Sequence, residues 1–386
     1  MVKVVVKECE SYDLEKVIEK INSGIELLGG WDIFVKPGMK VLLKVNLIGP
    51  KLPESAAVTH CEFVRALIRI LKQRGCTVWI GDSAGGAIAG IAPTTKSFEI
   101  SGLKKVAEEE KAEIKNFDKE GTVDTGTGHY AIDRLYLAKP LFDADFIINV
   151  PKLKTHSGCI YTGAVKNVFG CIQGLRKAEY HKAAPNPKEF GNVLVDIHQT
   201  VKIGLHIMDG ITAMEGEGPT AGSIYNANKI LISTDPLALD TVAINMIGLV
   251  IKDIPILQAA IERKLGESNK DNIEICGDYS SLPLLKNYKI PKRFNSKKKS
   301  NYNAVIKVIN FLKTKPKINL KKCVKCNTCV ESCPMHAIDK TTKNINYSKC
   351  IECMCCHELC SYKAVELKRV NPIAGIMTKL YKGNYK

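Results

Sequence analysis

Short apolar runs alternate with stretches of helical periodicity through the first two-thirds of the chain. Residues 2–6 form an apolar run that predicts a buried strand. Over residues 14–28 the apolar positions are Leu14, Val17, Ile18, Ile21, Ile25 and Leu28, one helical face that Gly29-Gly30 terminates. A second strand is predicted over 41–45, then a helix over 61–74 that ends at Gly75 and leads into a strand over 77–80. Further strands are predicted over 113–117, 146–150, 205–208 and 229–233, with a helix starting near Thr162. At Thr234-Asp235-Pro236 a capping side chain precedes a proline whose missing donor costs little in a first helical turn. Strands alternating with helices predict an α/β fold, a mostly parallel sheet with helices on both faces.

This pattern stops near residue 280. Residues 280–320 read as a basic linker with an apolar patch over 305–312 that suits a helix, and no Asp or Glu occurs between 286 and 321. Cysteine then dominates. Cys323, Cys326, Cys329 and Cys333 are spaced x2, x2, x3, and Cys350, Cys353, Cys356 and Cys360 repeat that spacing. Doubled runs of this kind hold two [4Fe–4S] clusters in bacterial-type ferredoxins, each run lending its last cysteine to the other cluster. One set is therefore Cys323, Cys326, Cys329 and Cys360, and the other is Cys350, Cys353, Cys356 and Cys333. Zinc ribbons need only two CxxC pairs, and disulfides do not suit a chain without an export signal. Cys355 is an additional thiol that could replace a neighbouring ligand, and Ser361 stands where the first run has Pro334. The expected organisation is an α/β domain over 1–279, the linker over 280–320, a small two-cluster ferredoxin-like α+β domain over 321–369, and a basic tail over 370–386.

Charge narrows the partners. The chain has 386 residues and a formal net charge of +16. Two oxidised clusters with their thiolates would lower that to roughly +12. An acidic electron carrier such as a ferredoxin or flavodoxin, an anionic membrane surface and nucleic acid all suit a basic chain, as does a merely solvated linker. Aromatic residues are sparse in the basic stretch, so nucleic acid is not the expected partner. No apolar run is long enough to span a bilayer and the N-terminus is too charged for a signal peptide, which predicts a cytoplasmic protein.

Polar residues collect after several predicted strands, where open α/β sheets bind ligands. Gly81-Asp82-Ser83-Ala84-Gly85-Gly86 suits a ligand loop or an ordinary glycine turn; it is not a dinucleotide fingerprint, and no phosphate-loop motif occurs. The richest stretch runs from Asn149 through Lys152, Lys154, Thr155 and His156 to Lys166 and Asn167, beside a predicted helix start. Lysines, amides and a helix N-terminus together suit a small anion. His156 is the expected proton donor, with Lys154 and Lys166 as its catalytic neighbours. Lys44, Asn46, Asp82, Ser83, Lys152, Thr155 and Asn167 are the expected binding residues. Asp209, Glu215 and Glu217 suit a hard cation, acid–base work or an acidic turn. Cys9, Cys61, Cys76, Cys159, Cys171 and Cys276 read as buried structural thiols. A third metal involving Cys159, Cys171 and His156 lacks ligand spacing.

Lys44-Val45-Asn46-Leu47, Gly81-Asp82-Ser83, the 151–156 and 163–167 segments, Asp209-Gly210 and Thr234-Asp235-Pro236 together resemble the family called domain of unknown function 362, over about residues 2–280. Members of that family often carry a two-cluster ferredoxin module at the C-terminus. The resemblance implies no reaction and no functional residues. The expected function is an iron–sulfur oxidoreductase that passes electrons through two [4Fe–4S] clusters to an anionic substrate or cofactor; the alternative is a non-catalytic redox partner whose large domain is a scaffold. A concave, lysine-lined pocket facing the cysteine-rich module separates the two.

Overall fold

The computed structural model describes residues 1–85, 93–292, 314–351, 355–358, 360 and 362–369. The apolar patch over 305–312, the tail over 370–386, Gly86, Cys353 and Ser361 lie outside them. Twelve strands build the large domain: β1 (Val2–Glu8), β2 (Lys40–Lys44), β3 (Thr77–Asp82), β4 (Glu113–Asn116), β5 (Thr122–Thr127), β6 (Arg134–Ala138), β7 (Phe146–Asn149), β8 (Lys152–His156), β9 (Ile160–Thr162), β10 (Leu205–Glu215), β11 (Ser223–Ser233) and β12 (Ile273–Gly277). Ten of them form one sheet with the path β12-β1-β11-β10-β7-β2-β3-β4, and β8 joins through β10 and carries β9. All neighbours on that path are parallel except those of β11, so the mostly parallel sheet is observed.

Side-chain alternation along the strands feeds two cores, one on each face. Val5, Val41, Leu43, Val78 and Ile80 pack against the helices Leu14–Glu26 and Cys61–Gln73. Val4, Val6, Leu42 and Trp79 point the other way, into the core shared by helices Pro187–Thr200, Pro236–Met246 and Pro255–Glu262. Burial of both faces explains why the parallel strands read as continuous apolar runs.

The structure departs from the predicted elements in several places. Residues 152–156, expected as a polar loop, form β8, with all five residues buried. The strand was hidden because four of its five buried residues are lysine, threonine and histidine, which give no apolar alternation to read. Strands β10 and β11 are longer than predicted, each an 11-residue arm of one hairpin. The start of the expected linker packs on that hairpin: Tyr288 donates to the Met214 carbonyl (2.7 Å) and Lys289 pairs with Glu215 (2.9 Å). The Lys292 amide donates to Glu217 (2.8 Å), so these two glutamates are engaged as an acidic turn.

The small C-terminal module begins at Thr314, inside the stretch expected as linker. Strand β13 (Thr314–Ile318) pairs antiparallel with β14 (Val365–Arg369), enclosing the short helices Thr328–Glu331 and Cys355–Glu358. Its core is Ile318, Ile338 and Val365 with the cysteines themselves. Among the described residues no helix is long and apolar enough to cross a membrane.

Asp235 caps the helix Pro236–Met246 as its sequence predicts, accepting from the amides of Leu237 (2.8 Å) and Ala238 (2.9 Å), and its second oxygen accepts from Glu267 (2.8 Å). Asp235→Ala should lower the unfolding free energy by about 1–2 kcal/mol in chemical denaturation, and Asp235→Asn should recover most of it. Equal losses in both variants would show that the cap is not what matters there.

Candidate functional site

The carboxyl ends of β2, β3 and β7 converge where β8 and the short helix Ala164–Asn167 cross them, the place where open sheets leave a crevice. A cleft of about 160 Å³ lies there. Asn46, Asp82, Ser83, Lys154, His156, Lys166, Asn167 and Lys177 line one side, and Glu331, Ser332 and Cys355 of the cysteine-rich module line the other.

Lys44, at the end of β2, lies beneath the floor with no side-chain exposure. Its ammonium donates to the carbonyls of Val45 (2.8 Å) and Asn167 (3.0 Å) and sits 3.3 Å from Asp82. Burial raises the Asp82 carboxyl to about 6, held back by Lys44 and Lys177. One Asp82 oxygen accepts from the Leu47 amide (2.8 Å); the other has no hydrogen-bond partner among the described residues and lies under Gly170. A Cβ at Gly170 would come within 2.1 Å of that oxygen, which requires glycine.

Amides set the floor's orientation. Asn46 donates to Asn167 (2.9 Å), Asn167 to Asn149 (2.7 Å), and Asn149 to the Ala164 carbonyl (3.0 Å). Lys154 donates to Asn46 and to the Ala57 carbonyl, both at 2.6 Å. The helix Ala164–Asn167 is anchored by Asp240, which accepts from the amides of Ala164 (2.7 Å) and Val165 (2.9 Å) and from Tyr161 (2.9 Å). The Lys166 ammonium on that helix makes no hydrogen bond or ion pair within the described residues.

His156 accepts at Nδ1 from the amides of Gly158 and Cys159, both at 3.0 Å. Two donors aimed at Nδ1 require a lone pair there, so the ring carries its proton on Nε2. That arrangement makes Nε2 the ring's donor atom.

Lys177 escaped sequence reasoning. It lies on the polar helix Gly174–Ala183, where no periodicity or motif marks it. Its buried ammonium donates to the Ser83 carbonyl, the Ser83 hydroxyl (3.1 Å) and the Ala84 carbonyl (3.1 Å). Burial pulls its pKa down to about 8, opposed by Asp82 and Asp118. Ser83 in turn donates to Asp118 (2.9 Å).

Three expected binding residues do not line the cleft: Lys44, beneath its floor, and two that lie elsewhere. Lys152 is buried against Asp209 (2.8 Å), Tyr12 (2.7 Å) and Thr212 (3.3 Å), a network within the sheet. Thr155 donates to the Met214 carbonyl (3.2 Å) and braces β10. Neither lines the cleft.

In the small module, Cys323, Cys326, Cys329 and Cys360 surround one cavity, and Cys333, Cys350, Cys355 and Cys356 surround a second. Backbone amides aim at sulfur: Ala364 at Cys360 (3.2 Å), Ala337 at Cys333 (3.3 Å) and Lys325 at Cys323 (3.4 Å). Such donors favour the thiolate that a cluster requires. The residues therefore fit an iron–sulfur group. Burial pushes the Cys329 thiol up to about 11, with Cys360, Cys323 and Cys326 adding to the rise. Cys355 borders both the second cavity and the cleft, and His357 Nε2 lies 3.4 Å from the Ser157 hydroxyl across the junction.

An α/β domain with a cleft at its strand ends and a cysteine-rich module against that cleft define an iron–sulfur protein. Residues 41–245 match the model of the family described as domain of unknown function (DUF362), to which this chain belongs, and residues 315–361 match a 4Fe-4S dicluster domain. A thylakoid-associated protein of Synechocystis sp. is 34% identical over 264 residues, 67% of this chain and 77% of that protein. The lactate racemase apoprotein of Thermoanaerobacterium thermosaccharolyticum overlays with a TM-score of 0.40 at 11% identity, covering 61% of this chain and 55% of that one. A Thermotoga maritima protein overlays with a TM-score of 0.37 at 16% identity, covering 54% and 52%.

The Lys177 ammonium loses its proton near pH 8 in the fold, against an ordinary 10.5. Between those values the unfolded chain binds more protons, so this group makes stability rise with pH. The difference in unfolding free energy between wild type and Lys177→Gln should climb from about pH 8 to 10. A flat difference would show that the ammonium is not depressed.

Proposed function

We propose that this chain is an iron–sulfur oxidoreductase that carries two [4Fe–4S] clusters and delivers electrons to a small anionic substrate or cofactor bound in the junction cleft. The observation that carries this reading is the cleft's two-sided wall, with Lys166, which has no partner among the described residues, on one side and Cys355, beside the second cysteine set, on the other. Cys323, Cys326, Cys329 and Cys360 would hold one cluster, and Cys333, Cys350, Cys353 and Cys356 the other. Such clusters supply single-electron transfer when bound, and a reducing cytoplasm suits them.

The chain's own residues account for the rest. Lysines outnumber carboxylates on the cleft wall, where Lys154, Lys166 and Lys177 face Asp82 and Glu331, so an anion is favoured. Lys166 meets the anion directly, and His156 donates a hydrogen bond from Nε2. Each electron the substrate accepts adds a negative charge. Lys177, with its pKa near 8, holds a proton loosely enough to neutralise that charge at ordinary pH, and the resulting amine regains its proton from water.

Anaerobically purified protein should contain about eight iron and eight sulfide per chain. The holo protein, reduced with methyl viologen radical, should be reoxidised by at least one member of a panel of small carboxylates and phosphate esters. For that compound Lys166→Gln should weaken apparent affinity about tenfold, the size expected for a lost charged hydrogen bond. Lys177→Gln should slow the turnover with affinity kept. Undiminished affinity in Lys166→Gln, or reoxidation by no anion, would refute the cleft assignment; iron near four would refute the cluster count.

A further inference from the structure

The two cysteine sets have different surroundings. The second set adjoins the cleft through Cys355, whereas the first reaches solvent at one ligand. Cys326 of the first set is exposed. Val324 and Tyr362, which wall the same cavity, are 54% and 53% exposed, and nearby Leu320 is 62% exposed. Val324 and Tyr362 at the mouth of one redox site, with Leu320 exposed just upstream of Cys323 in the chain, are costly to leave in water unless a partner covers them.

The charge around this rim is predominantly positive. Residues 314–330 contain five lysines and no Asp or Glu. The nearby Glu366 is already paired with Lys322 (3.0 Å) and Lys368 (3.1 Å). Exposed Lys321, Lys325 and Lys363 make no ion pair within the described residues. Lys51 of the large domain lies close to Lys363, and burial followed by that like charge pulls its pKa down. Positive charge ringing an apolar centre is the arrangement that steers an oppositely charged protein and then seats it.

We propose that the rim formed by Leu320, Val324 and Tyr362, ringed by Lys321, Lys325 and Lys363, is the docking surface for an acidic electron-transfer protein. It is the electron entry port, distinct from the exit toward the cleft at Cys355. The docked carrier is oxidised by one electron and the module is reduced by one, with no bond made or broken. The inference rests on the electron-transfer reading of the module and is independent of what the cleft binds.

Stopped-flow reduction of the holo protein by a reduced acidic [2Fe–2S] ferredoxin tests it. The wild-type rate constant should fall steeply with salt, as steered association does. The triple variant Lys321→Glu/Lys325→Glu/Lys363→Glu should react at least tenfold more slowly at low salt, and the corresponding glutamine variant should fall between. Reduction by methyl viologen radical should stay within about twofold of wild type, with iron content and visible spectrum unchanged, which separates docking from cluster damage. Equal ferredoxin rates in wild type and triple variant would overturn the proposal, as would equal slowing with viologen. A self-association of the wild type that the triple variant abolishes would reassign the rim to a second copy, and binding to phosphatidylglycerol vesicles lost in the variant would reassign it to a membrane. Lys166→Gln should accept electrons from ferredoxin at the wild-type rate, so failure of the cleft assignment leaves this test intact.

Discussion

Buried ammonium groups are the constraint on which this domain is built. Taking a lysine out of water costs several kcal/mol unless oxygen atoms replace the lost solvent. Lys44, Lys152 and Lys154 are all buried near the ends of central strands, and each meets such atoms: backbone carbonyls and Asp82 for Lys44, Asp209 for Lys152, and Asn46 with Ala57 for Lys154. The strand ends, the 164–167 helix and the loop after β3 are positioned to supply these acceptors. Displacing any one of them would leave a charge without compensation, so the cleft floor is stiff.

That stiffness sorts the cations by role. Lys44 and Lys152 are committed to internal partners and hold the frame together. Lys154 joins the frame to the cleft wall through Asn46. Lys166 alone among these four extends from an anchored helix without an internal partner among the described residues, so its charge is available to a ligand. Asp240 matters here through position: burial raises its carboxyl to about 7, yet three donors hold it, and the helix bearing Lys166 and Asn167 is fixed by that contact.

Legibility in the sequence followed the range of the physics. The helix Leu14–Glu26 and the Asp235 cap were readable because periodicity and capping act over a few residues. The cysteine runs were readable because cluster ligation imposes its own local spacing. Strand β8 was not, since burial of polar side chains erases the apolar signal that marks a strand. Lys177 was invisible because its partner Ser83 is 94 positions away, and the Ser157–His357 contact joins residues 200 positions apart. The lysines after β7 could be seen as a group, but not which faced inward, because alternation along β8 depends on a register that only the pairing with β10 determines.

Placing a cysteine-rich module over such a cleft has a further consequence. Glu331, Ser332 and Cys355 of the module share the cleft wall with Lys154 and Lys177, and a drier cleft would strengthen the interaction of an anion with those charges. It also makes an unfilled cleft less comfortable, since like charges face one another with less solvent between them. Burial lowers the proton affinity of Lys177, which relieves part of that repulsion when no anion is bound. On the proposed reading, an arriving anion would reverse the balance and favour the ammonium form, so binding would draw in a proton. That reading couples ligand charge and proton supply through one buried lysine, and it needs both the module's cover and the internal pairing of Lys44 and Lys154 beneath it.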